Sequence, residues 1–112
     1  MDVAQRVVVV GDGGWGTALA EMLATSGKEV GLWSHDPEYA AQMDESRQNP
    51  RFLPGFDIHP SIRIDHDLGR LLSDVDLLIS AVPTAYLRDV WSGHAPLLPE
   101  RVPLLSVSKG LE

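Results

Sequence analysis

The residues best suited to chemistry come early in the chain, where the run Val7 to Gly16 reads VVVVGDGGWG and spaces its glycines as Gly11-x-Gly13-x-x-Gly16. Glycines after a buried strand let the backbone turn sharply and bring bare N–H groups close to an anion. A helix that opens there adds unpaired first-turn N–H groups and the positive end of its dipole, so a pyrophosphate satisfies both at once. Gly11, Asp12, Gly13, Gly14, Trp15 and Gly16 are therefore the candidate dinucleotide cradle. The plainer alternative is a tight strand-to-helix turn. Context favours the cradle, because a second strand follows at the distance a βαβ unit requires.

A second candidate stretch is Ser34-His35-Asp36-Pro37. In a dinucleotide fold the residue just past the second strand meets the adenosine ribose, where an acid favours a free 2′-hydroxyl and a donor or cation favours a 2′-phosphate. That slot falls on Ser34, with His35 beside it. A hydroxyl and an imidazole can both donate to a phosphate, so the pattern leans towards NADP(H), with NAD(H) as the other choice. Asp36 reads as a helix N-cap, with Pro37 at the first helical position and Glu38 in the first turn. Farther on, Val82, Pro83 and Thr84 should line the crevice at the strand ends, and Tyr86 is either near the reactive end of the cofactor or a half-buried helix residue. His59, His66 and His94 show no paired spacing, so no metal site is expected. Asp74 and Asp76 read as turn residues.

The elements that must position these groups follow from periodicity. Strands are expected at Arg6 to Val10, Glu29 to Trp33, Ile62 to Ile64, Asp76 to Val82 and Val102 to Val107. A helix over Gly14 to Ser26 would bury a stripe of Ala18, Leu19, Met22 and Leu23, and Gly27 would close it. Further helices are expected at Pro37 to about Gln48, at Asp67 to Leu72 with Asp65 or Asp67 as cap, and at Ala85 to about Ser92 behind Thr84. Arg51 to Ser61, with Pro54, Gly55 and Pro60, reads as a loop. Strands alternating with helices predict an α/β domain: a doubly wound parallel sheet of the Rossmann dinucleotide-binding type, in the order 3-2-1-4-5 and truncated after the fifth strand.

With 112 residues the chain is one domain, small for an oxidoreductase that carries both cofactor and substrate parts. Its 44% hydrophobic content is that of an ordinary globular protein. The net charge of −7 and the lack of a basic stripe argue against a nucleic-acid partner. Without cysteine, no disulfide framework, thiolate metal site or cysteine nucleophile is available. No apolar run approaches the ~20 residues that span a bilayer, so no membrane insertion is expected and a cytoplasmic location is the default.

Taken together, GDGGWGTALA, EVGLWSHDPE, NPRFLPG, DLLISAVPTAYLRDV and SVSKGLE resemble, in that order, the amino-terminal domain of NAD(P)-dependent glycerol-3-phosphate dehydrogenase. The resemblance implies hydride transfer between a nicotinamide cofactor and dihydroxyacetone phosphate or sn-glycerol 3-phosphate. It also implies that Gly11 to Gly16 cradle the pyrophosphate with Trp15 against the cofactor, that His35 contacts the adenosine end, and that Tyr86 stands near the nicotinamide. Lys109 matches a lysine beside cofactor and substrate, where its ammonium would help hold the reacting oxygen and phosphate. The loop departs from the family at Asp12, where a small neutral residue is commoner, and at Gly14, often serine. A carboxylate near a pyrophosphate repels it unless it points away.

By the same resemblance, residues 1–112 would be the amino-terminal part of the NAD(P)-binding domain, and the helical domain with the general-base lysine lies outside them. No catalytic base is then expected in this chain, Lys109 giving at most electrophilic assistance. A phosphorylated substrate would be held only with a second domain, and association with a like chain or a partner domain is expected through the last strand. Two other readings remain: a dinucleotide-binding module without turnover, and the first domain of another GxGxxG dehydrogenase.

Overall fold

A computed structural model describes residues 6–51, 53–72, 75–82 and 104–106. Strands β1 (Arg6–Val10), β2 (Glu29–Trp33), β5 (Arg63–Asp65), β6 (Leu77–Ser80) and β7 (Leu104–Ser106) form one parallel sheet in the order β5-β2-β1-β6-β7. Helices α1 (Gly14–Thr25), α2 (Pro37–Ser46) and α3 (Leu68–Leu71) pack on it, and β3 (Gln48–Asn49) with β4 (Leu53–Asp57) makes a separate antiparallel ribbon. Leaving the ribbon aside, the strand order is the expected 3-2-1-4-5.

The valine run explains why β1 is central. Val7 and Val9 enter one core with Ala20, Ala24, Leu32, Tyr39, Met43 and Ile79. Val8 and Val10 enter the opposite one with Trp33, Leu68, Leu71, Leu78 and Val82. Alternate side chains of one strand point to opposite faces, so a strand apolar at every position suits a sheet covered on both sides. At the start of β1, Asp76 acts as the expected turn residue: its carboxylate accepts from the Arg6 N–H (2.9 Å), and its own N–H donates to the Arg6 carbonyl (2.8 Å).

Three local expectations are corrected. The buried face of α1 is Gly16, Thr17, Ala20 and Ala24, with Leu19 and Leu23 only partly buried and Met22 60% exposed. Small residues win this face because the helix lies close against the sheet, leaving no room for long side chains beneath it. Arg51 to Ser61 is not simply loop, since β4 pairs there with β3. Finally, α2 ends at Ser46 because Arg47 adopts a left-handed conformation (φ 57°). The Arg47 guanidinium then donates to the carbonyls of His59 (2.7 Å) and Ile62 (2.8 Å), tying the ribbon's return to the helix end.

The N-terminus of α2 follows expectation. Asp36 accepts from the N–H groups of Glu38 (3.0 Å) and Tyr39 (3.3 Å), with Pro37 at the first helical position. Ahead of α3, Asp65 rather than Asp67 supplies the side-chain bond, accepting from the Asp67 N–H at 3.0 Å. The expected helix over Ala85 to Ser92 lies outside the described residues.

Candidate functional site

At the carboxyl end of β1, Gly11 has φ 125°, a conformation that side-chain-bearing residues rarely adopt. An added Cβ would stand 3.0 Å from the Ala81 backbone and 3.2 Å from the Val82 nitrogen, so the glycine turn abuts the end of β6. This places Val82 beside the cradle. The Gly11 N–H donates to the Trp33 carbonyl (3.1 Å), which sets the start of the turn beside the end of β2.

The N-cap of α1 is Gly13, with no side-chain cap and no acidic residue in the first turn. A Cβ on Gly13 would meet nothing within 4 Å. Among the described residues, then, nothing crowds Gly13 at a helix N-terminus that takes no side-chain cap, and an anion fits both that space and the positive end of the dipole. Trp15 is 51% exposed on the first turn of that helix. The residues present therefore fit the pyrophosphate of a dinucleotide.

Asp12 is turned towards the end of β2. Its Oδ2 accepts from the Ser34 hydroxyl at 2.7 Å, and both side chains are buried. The sequence reading has the Ser34 hydroxyl facing the ribose; the structure has it donating to Asp12, while His35 is exposed beside it.

Beneath the cradle lies a polar network that sequence reasoning missed. The Asp12 carbonyl accepts from Asn49 Nδ2 (2.7 Å) and Thr17 Oγ1 (3.2 Å), and Asn49 Nδ2 also donates to Thr17 Oγ1 (2.8 Å). The Tyr39 hydroxyl donates to Asn49 Oδ1 and accepts from the Arg51 N–H (3.1 Å). Asn49 is fully buried. As a residue before proline it signalled only a helix stop; its one other signal was its place in the NPRFLPG block. The Arg51 guanidinium lies 4.1 Å from the centre of the Tyr39 ring, with Nη1 3.9 Å from Asp36 Oδ2.

At the far edge, Arg70 grips both Asp65 carboxylate oxygens at 2.9 Å. These bonds hold the Asp65 carboxyl below its usual range despite partial desolvation. Tyr86 and Lys109, with Pro83 and Thr84, lie outside the described residues. No cluster of three or more metal-ligating side chains occurs among the described residues, and no described helix is long and apolar enough to cross a membrane.

Comparison with known proteins gives a consistent answer. Residues 6–112 match the family described as NAD-dependent glycerol-3-phosphate dehydrogenase N-terminus. The chain is 42% identical over 112 residues to a glycerol-3-phosphate dehydrogenase [NAD(P)+] of Ectopseudomonas mendocina, covering 100% of this chain and 33% of that protein. It is 36% identical over 110 residues to the Geobacter enzyme of the same description, covering 98% and 33%. The crystal structure of glycerol-3-phosphate dehydrogenase from Coxiella burnetii superposes with a TM-score of 0.88 at 30% identity, over 96% of this chain and 33% of that one. The chain thus spans about a third of the length of the curated relatives it matches. A helix N-terminus without a side-chain cap at a glycine cradle, in a parallel sheet of this strand order, accords with that match, and the chain belongs to the family of the NAD-dependent glycerol-3-phosphate dehydrogenase amino-terminal domain.

Proposed function

We propose that this chain is the cofactor-holding part of a glycerol-3-phosphate dehydrogenase, which interconverts dihydroxyacetone phosphate and sn-glycerol 3-phosphate by hydride transfer at a nicotinamide. The observation that carries the reading is the N-terminus of α1 at Gly13, where, among the described residues, an added Cβ meets nothing within 4 Å and no side chain caps the helix. Bound there, the dinucleotide supplies the hydride chemistry. The chain's own residues bind and orient it: the N–H groups of the first turn of α1 receive the pyrophosphate with Trp15 against the cofactor, His35 serves the adenosine end, and the family resemblance assigns Tyr86 and Lys109 to the reacting end.

Reducing a ketone also needs a proton donor at the forming alkoxide. In this reading that donor belongs to a helical domain outside residues 1–112, which also encloses the substrate phosphate. Residues 1–112 therefore supply nucleotide binding, and efficient turnover needs that domain as well.

Calorimetric titration of the chain with NADH and NADPH, followed by an assay with dihydroxyacetone phosphate, tests this. Binding without turnover is the expected result. Failure to bind either nucleotide overturns the reading, and turnover of about 1 s⁻¹ or faster overturns the division of labour.

A further inference from the structure

The lean towards NADP(H) drawn from Ser34 assumes that no carboxylate stands at the end of the second strand. The structure puts one there from the neighbouring strand. Because Gly11 donates to the Trp33 carbonyl, the glycine loop starts alongside the last residue of β2, and Asp12 then reaches Ser34, the next residue along. We propose that Asp12, held by Ser34, selects the unphosphorylated adenosine ribose, so that the chain takes NAD(H) in preference to NADP(H). This inference rests on the dinucleotide reading above.

Three observations support it. Ser34 is the one donor to the Asp12 carboxylate among the described residues, and Oδ1 is not among their sealed, unbonded buried atoms, so one oxygen remains to accept from a ribose hydroxyl. The carboxylate is also held in place, since the Asp12 carbonyl is fixed by Asn49 and Thr17 and the Ser34 side chain is buried. Retreat from an incoming anion would break those bonds.

Arg51, whose N–H donates to the Tyr39 hydroxyl at the far end of this polar network, has its guanidinium engaged elsewhere. Arg51 lies over Tyr39 and faces the Asp36 carboxylate at 3.9 Å. A 2′-phosphate would bring a charge of about −2 beside a largely buried carboxylate, whereas a 2′-hydroxyl can donate to it. An acid at the ribose position acts in the same way whichever strand delivers it.

The test is fluorescence titration of the whole chain with NADH and with NADPH, at low and at high salt. NADH should bind about tenfold or more tightly, the scale of one like-charge contact a few ångströms away at intermediate dielectric, and the gap should narrow with salt. Asp12→Ala and Asp12→Asn should bring the two affinities to within about threefold, mainly by tightening NADPH. Ser34→Ala keeps the carboxylate and should keep NADH preferred.

Equal or tighter NADPH binding by the parent chain overturns the inference. So does an equal loss for both nucleotides on changing Asp12, or, where the Asp12 variants fail to fold by circular dichroism, a parent gap that salt leaves unchanged. Binding of neither nucleotide is the distinct outcome that removes the dinucleotide reading itself.

Discussion

A Cβ placed on Gly16 would lie 2.3 Å from the Gly11 carbonyl oxygen, so α1 and the end of β1 meet backbone to backbone. Nothing at that contact can rotate away, because the obstructing atom belongs to the main chain. Gly16→Ala should therefore cost roughly 2–4 kcal/mol, as overpacking against a fixed neighbour does. Urea denaturation checks it: an unchanged midpoint would show that the helix can lift from the strand without penalty.

Gly13→Ala should separate stability from binding. Its φ of −65° suits alanine and the space around it is open, so the urea midpoint should stay within about 0.5 kcal/mol of the parent. The methyl group would enter the space proposed for the phosphates. NADH affinity should fall about tenfold or more, which titration of the folded variant would read directly.

Asn49→Ala should be costly, because the residue is fully buried within the network beneath the glycine loop. The change strips the Tyr39 hydroxyl of its acceptor and the Asp12 carbonyl of one donor in a buried setting, at roughly 2–3 kcal/mol. Tyr39→Phe alone should cost about 1 kcal/mol. Because the two share a bond, the double variant should lose less than the sum of the singles in a denaturation cycle.

The Asp65 and Arg70 pair makes a pH prediction. The folded Asp65 carboxyl is held below its ordinary value, chiefly by the Arg70 hydrogen bonds. Its contribution to stability is then fully present above the ordinary carboxylate range, near pH 4, and is lost as pH falls through the lower folded value. Asp65→Asn should be less stable than the parent at neutral pH, with the gap closing below about pH 4. Parallel urea midpoints from pH 7 to pH 2 test the sign, and a constant gap would show that the pair is not the source.

Much of this was legible in the sequence because it depends on local chemistry. Four valines before three glycines specify a central strand and its turn, and Asp36-Pro37-Glu38 specifies a helix start. Other features depend on neighbours distant in the chain. The buried face of α1 is set by how close the helix sits to the sheet, so Thr17 and Ala20 displaced the more hydrophobic Met22. The short β3 and β4 ribbon has too few residues to display a period. Asp12 read as a liability in a phosphate loop, because nothing between it and Ser34, 22 residues on, reveals that the two side chains meet.

The parallel ladder has a consequence for the order in which the chain can acquire structure. Val7 and its neighbours pair on one side with β2 but on the other with β6, and the bond from Arg6 to Asp76 spans 70 residues. At about 5–20 residues per second of synthesis, several seconds separate the appearance of the four valines from that of their second partner. Throughout that interval the most apolar strand of the domain has an unfilled side, a template for aggregation unless the ribosome tunnel or a chaperone covers it.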